Sequence, residues 1–170
     1  MLSLASWTIA AVVALGGGST AGGDALLDSP ARHVRTTNRA MTQLLRNGYH
    51  HSPSFAALLQ RLEKSDVYVY IEEVPRLPNA LEGRLLVVPP AHGTRYVRIQ
   101  IVLRGGLNDS SAVLGHELQH AVEVAENPSV LDNDSLIALY RRIGIARGHN
   151  EYDTEEAQKM GRRVLKELVA

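Results

Sequence analysis

The sequence predicts an α+β domain with a short, at least partly antiparallel sheet in its middle, one long central helix after it and further helices at the C-terminus. Two observations carry this. The hydrophobic period changes from helical to strand-like near Asp66 and back again after Leu103. A chain of 170 residues is also enough for one core and little more.

At the N-terminus, Trp7 to Leu15 is apolar apart from Thr8, too short to span a bilayer, and leads into Gly16-Gly17-Gly18-Ser19-Thr20-Ala21. Residues 1–21 are therefore expected to be a signal peptide cleaved after Ala21, with the positive charge ahead of the apolar run supplied by the terminal amine alone. Residues 22–30 read as a linker and 31–170 as the folded domain. Export to the periplasm or the exterior follows from that reading, and no stable membrane span is expected.

The segment Ala31 to Asn47 carries Val34, Met41, Leu44 and Leu45 among polar residues, which predicts an amphipathic helix ended by Asn47-Gly48. Ser52-Pro53 opens a second helix with Phe55, Leu58, Leu59 and Leu62 inward. His50-His51 falls between them and is expected to be solvated loop polarity. Val67 to Val74, Leu85 to Val88 and Tyr96 to Leu103 are rich in β-branched and aromatic residues and predict three strands, with Ala91-His92-Gly93-Thr94 closing a hairpin between the last two.

The next helix carries the most informative residues of the chain, His116-Glu117-Leu118-Gln119-His120. Positions i and i+4 of a helix are neighbours on its surface, so the two imidazoles can close on one metal ion, with the Glu117 carboxylate beside it as a proton acceptor. Leu114, Leu118, Ala121, Val122 and Ala125 form an apolar stripe with the histidines at its edge; Asp109 or Ser110 is the expected N-cap and Asn127-Pro128 the stop. Beyond it, Asp134 or Ser135 is expected to cap a short helix ended by Gly144, followed by a loop holding His149, Asn150, Glu151 and Tyr152. A last helix runs from about Asp153 to Val169, its packed face formed by Ala157, Met160, Gly161, Val164, Leu165 and Leu168. Gly161 in that face allows another helix to approach closely.

Val113 to Val122 resembles the active-site helix of the zincin metallopeptidases, including the uncharged residues that flank the motif. The resemblance covers about ten residues. It implies Zn²⁺ on His116 and His120, Glu117 as general base, and a peptide or protein substrate. Metzincins place a glycine and a third histidine where this chain has Glu123 and Glu126, and peptide deformylases need a cysteine, of which this chain has none. What remains resembles the gluzincin arrangement, whose third ligand is an acidic residue from a later helix. The resemblance also implies an edge strand before the metal helix that pairs with extended substrate; Tyr96 to Leu103 occupies that place, either as that edge or as an ordinary paired strand.

Asp153 and Glu156, at the start of the inward face of the last helix, are the third-ligand candidates, with His149 as a further one. Asp153-Thr154-Glu155-Glu156 also reads as a capping box that needs no metal. Glu123 lies seven residues beyond His116, roughly 10 Å along a straight helix. It is expected outside the ligand sphere, hydrogen-bonded behind the ligands or solvated. For a developing oxyanion the donors are His149 and Tyr152, with Tyr140 expected in the core.

Eighteen basic and eighteen acidic residues give a formal net charge of zero, which argues against an electrostatic nucleic-acid or anionic-membrane binder. The absence of cysteine removes disulfides and thiolate ligands together. The sequence thus points to a zinc metallopeptidase. A non-catalytic zinc-binding interaction domain and a zinc hydrolase of non-peptide amides are the alternatives.

Overall fold

The computed structural model describes residues 31–148 and 151–170. The expected signal peptide and linker, with His149 and Asn150, lie outside the described residues. The chain forms β1 (Val34–Arg35), α1 (Arg39–His51), α2 (Pro53–Glu63), β2 (Val67–Glu73), β3 (Gly83–Ala91), β4 (Thr94–Ile101), α3 (Leu107–Ala125), α4 (Asn133–Ile143), β5 (Ile145–Gly148), β6 (Glu151–Asp153) and α5 (Glu155–Leu168). This is an α+β fold.

The main sheet has the order β1-β2-β4-β3, with β1, β2 and β4 parallel and β3 antiparallel to β4; β5 and β6 form a separate antiparallel pair. Alternation places Val67, Val69, Ile71, Val97, Ile99 and Ile101 on one face, where they meet Met41, Phe55, Leu114 and Leu118 from the helices in a single core. On the other face Tyr68, Tyr70 and Tyr96 stand side by side, ring centroids 6.0 and 6.3 Å apart.

The helices differ from the sequence reading at their ends, each time for a local reason. Asn38 caps α1 by accepting from the N–H groups of Ala40 and Met41, so the residues before it are free to lay β1 beside β2. Gly48 does not stop α1. It lies where a Cβ would stand 2.6 Å from the Phe55 ring, so its missing side chain serves the packing of α2. His50 and His51 consequently lie in the last turn of α1, and Ser52 both follows that helix and caps the next through the Phe55 N–H. For α4 the cap is Asp132, with Ser135 at the third position.

The hairpin between β3 and β4 turns on His92 and Gly93, both with positive φ (52° and 77°), the pair of left-handed residues a two-residue hairpin turn requires. β3 is longer than Leu85 to Val88 and runs through Pro89 and Pro90, with a register shift between Val88 and Ala91 where neither proline has an N–H for the ladder. Topology decides between the two readings of Tyr96 to Leu103 in favour of an ordinary paired strand. β4, which contains most of Tyr96 to Leu103, is flanked by β2 and β3, and the strand at the free edge beside the motif helix is β3. No helix among the described residues is long and apolar enough to cross a membrane.

Candidate metal centre

The motif helix α3 is fixed at both ends. It begins after Gly106, whose N–H donates to Asp109 Oδ2 at 3.2 Å, so Asp109 supports the first turn from inside it and is not the N-cap. Its C-terminal carbonyls are taken up by Arg95 from β4. The Arg95 guanidinium, 4% exposed, donates to the carbonyls of Val124, Ala125 and Asn127 at 2.8 to 3.1 Å and holds Asp66 in two further bonds of 2.7 and 2.8 Å. A buried guanidinium on a helix C-terminus satisfies the last carbonyls and opposes the helix dipole at once.

Along α3, Leu114, Leu118, Ala121 and Val122 are buried, and His116 and His120 project together with their ring centroids 4.9 Å apart. Gly161 lets α5 pass over the first ligand, since a Cβ there would lie 3.3 Å from His116 Cβ. Asp153, the last residue of β6, reaches back to the pair, with its Oδ1 3.3 Å from His116 Nε2 and 3.5 Å from His120 Nε2. One donor atom from each of His116, His120 and Asp153 lies within 4.8 Å of the others, and the cluster could hold a metal ion. Two ligands bound at about 2.05 Å in tetrahedral geometry stand about 3.3 Å apart, so the two Asp153 separations match ligands converging on one ion.

The electrostatics favour a cation as well. Glu117, Glu123 and Asp153 surround two imidazoles. Burial alone would lower the His120 pKa, but hydrogen bonds to Asp153 and Glu123 outweigh it and push it up to about 10. Asp153 is held well below the usual carboxylate range: burial opposes this, and the bonds to His116 and His120 prevail. Glu117, 6% exposed, is raised by burial, a shift that the neighbouring histidines only partly offset. Its side chain lies against β3 at Gly83, where a Cβ would meet Glu117 Oε1 at 2.5 Å. The general-base candidate thus reaches the sheet edge because that position is glycine.

Behind the ligands, Glu123 Oε2 accepts from His120 Nδ1 at 2.9 Å, and Glu123 Oε1 accepts from the Thr154 hydroxyl at 2.6 Å. The first bond leaves His120 Nε2 as the nitrogen that faces Asp153. Thr154 is also the N-cap of α5, accepting from the Ala157 N–H at 3.1 Å. One hydroxyl therefore joins the start of α5 to the support of a ligand.

That cap places Asp153 outside α5 and Glu156 in its first turn, which separates the two acidic candidates. Asp153 is not the cap; it lies before Thr154, on a strand, and not on a later helix as the gluzincin resemblance implied. Glu156 falls in the first turn on the solvent side, 70% exposed and facing Lys159, and is not part of the His116, His120 and Asp153 cluster. Tyr152 lines the same cleft as the metal cluster, half-buried, its hydroxyl accepting from Arg141 Nε at 3.3 Å. Tyr140 is buried as expected, but beside the site, with its ring 5.2 Å from that of His120. Its hydroxyl has no hydrogen-bond partner among the described residues, and burial, with Glu123 and Glu117 nearby, pushes its pKa well up.

The cluster opens into a cleft of about 930 Å³ between β3, α3, α4 and α5. Arg95, Gly83 and Thr154 were not singled out from the sequence. Thr154 had a signal there, a hydroxyl residue just before a helical run, but the aspartate ahead of it offered the same cap. No family model, curated protein or solved structure matches the chain. The zincin resemblance therefore rests on the motif residues themselves.

Proposed function

We propose that this protein is a zinc-dependent metallopeptidase, holding Zn²⁺ through His116, His120 and Asp153. The observation that carries the reading is the convergence of these three donors at the wall of an open cleft, with the buried Glu117 carboxylate beside them. Catalytic zinc sites use three protein ligands and keep a position open, whereas structural sites are closed by four. Two nitrogens and one carboxylate oxygen, without thiolate, are a donor set used by catalytic zinc.

When bound, zinc would polarise the substrate carbonyl and lower the pKa of water at the site. Glu117 takes the proton from the attacking water as the C–O bond forms and the carbonyl pair moves onto its oxygen; it then passes that proton to the amine nitrogen, and the C–N bond breaks as the carbonyl re-forms. Its burial in the cleft wall keeps bulk water from competing for that proton. Glu123 holds the His120 ring through Nδ1, which would leave Nε2 to hold a bound metal. Tyr140 and Tyr152 are the phenolic donors lining the cleft and are assigned to the oxygen on which charge develops. The free edge of β3 is assigned to extended substrate, which can pair with its unbonded main-chain groups. Export with removal of residues 1–21 belongs to the same proposal; the intact mass of protein from its native source tests it, and an uncleaved Met1 would contradict it.

The functional test is cleavage of a broad peptide mixture by zinc-loaded protein beside a zinc-loaded Glu117→Gln variant, followed by mass spectrometry. New termini with the parent protein alone support the assignment. Full zinc content with no cleavage of peptides would favour the interaction-domain reading, and cleavage confined to non-peptide amides would favour the other hydrolase.

A further inference from the structure

The edge of β3 is already partly occupied by the protein itself. In its antiparallel ladder with β4 the even-numbered residues face inward: the Glu82 carbonyl accepts from the Val102 N–H at 2.8 Å, and Arg84, Leu86 and Val88 stand opposite Gln100, Arg98 and Tyr96. Odd-numbered residues alternate with them and turn their N–H and C=O outward. At Val87 both outward groups are taken by one side chain. Asn133 Oδ1 accepts from the Val87 N–H at 3.0 Å, and Asn133 Nδ2 donates to the Val87 carbonyl at 3.1 Å. A carboxamide presents an acceptor and a donor as a peptide unit does, so Asn133 reproduces one rung of a neighbouring strand.

Gly83 and Leu85 have no such cover among the described residues. Their outward groups face the cleft, and Gly83 lies against Glu117. Paired residues along a strand edge recur every second position, about 7 Å apart. A substrate strand can therefore pair at Gly83 and Leu85, a span of three residues, before it meets the Asn133 carboxamide where its next rung would form.

We propose that Asn133 is a specificity-determining residue that limits pairing of an extended peptide on the β3 edge to a three-residue segment next to Glu117. The inference rests on the proposed use of this edge by peptide substrates. Asn133→Ala opens the Val87 rung and extends the footprint to five residues. The substitution leaves the cap of α4 in place, because that cap is Asp132. Asn133→Asp keeps the acceptor for the Val87 N–H but loses the donor to its carbonyl, and serves as the conservative partner.

The test is amide chemical-shift titration of zinc-loaded, full-length protein carrying Glu117→Gln to prevent turnover, with two random-sequence pools of end-blocked peptides, one of tripeptides and one of pentapeptides. With Asn133 present, the Gly83 and Leu85 amides shift, the Val87 amide does not, and the two pools bind within about twofold of each other. With Asn133→Ala, Val87 shifts too and the pentapeptide pool binds about tenfold more tightly than the tripeptides, as expected for two added hydrogen bonds. With Asn133→Asp the Val87 amide stays unresponsive. A Val87 shift or a tenfold pentapeptide advantage with Asn133 intact would overturn the proposal, as would the absence of any shift at Gly83 and Leu85. Cleavage of the same pools by protein with native Glu117 is scored separately: pools that bind as described and are never cut refute the peptidase reading and leave the Asn133 limit standing.

Discussion

Glu117, Asp153 and Glu123 are three carboxylates within one site, and their surroundings give each a different task. Glu117 is not one of the three cluster residues and lies buried against Gly83, so in the proposed site Glu117→Gln keeps shape and metal but removes the carboxylate assigned to take a proton from water. Hydrolysis is expected to fall by about 10²- to 10⁴-fold at unchanged zinc content, read from steady-state rates beside elemental analysis. Asp153 contributes an oxygen to the cluster, and Asp153→Asn exchanges an anionic ligand for a weak neutral one. Chelator competition should show a sharp loss of zinc affinity, whereas Glu156→Gln, which alters a solvent-facing side chain, leaves it unchanged. Equal losses in both variants would contradict the assignment. Glu123 acts through His120, so Glu123→Gln should weaken zinc about 10- to 100-fold without removing a ligand.

At the scale of elements, the metal helix depends on Arg95. Removing the guanidinium strands the carbonyls of Val124, Ala125 and Asn127 in a buried environment, and Arg95→Met should destabilise the fold by about 3 kcal/mol in urea unfolding of the metal-free protein. The same contact gives a pH dependence. Asp66 has its pKa lowered, chiefly by its hydrogen bonds to Arg95 and against a smaller effect of burial. The group is more acidic folded than unfolded, so its stabilisation is fully present above the ordinary value near 3.8 and is lost as pH falls through the lower folded value. Unfolding free energies measured from pH 5 down to pH 2 should therefore fall less steeply for Asp66→Asn than for the parent. A steeper fall would contradict the pairing. The start of α5 is the other dependent element: Thr154→Ala removes a cap worth about 1 kcal/mol and the hydroxyl that donates to Glu123, whereas Thr154→Ser keeps both.

Across the whole molecule, what could be seen in the sequence was what is encoded locally. The spacing of His116, Glu117 and His120, the stripe of α3 and the His92-Gly93 turn all depend on residues within a few positions of one another, and each has its counterpart in the fold. The third ligand was ambiguous because both acidic candidates flank the start of the last helix and either Asp153 or Thr154 could cap it. The cap is Thr154, so Asp153 is the last residue of β6, and Glu156 falls in the first turn with its side chain exposed. Strand order was hidden for a different reason. β1 is two residues long and the insertion of β4 between β2 and β3 is a long-range pairing, so no local pattern told the free edge from the interior strand. The Arg95 cap and the Asn133 rung likewise join residues about thirty and forty-six positions apart.

In the proposed site one zinc ion is held on three side chains, His116, His120 and Asp153, and stays open to the cleft. Anomalous diffraction at the zinc edge from crystals of the zinc-loaded protein measures this most directly. A single peak is expected about 2.0 to 2.2 Å from His116 Nε2, His120 Nε2 and an Asp153 oxygen, with the remaining position facing the cleft. A peak closed by a fourth protein ligand, or no peak at these residues at full zinc loading, would contradict it.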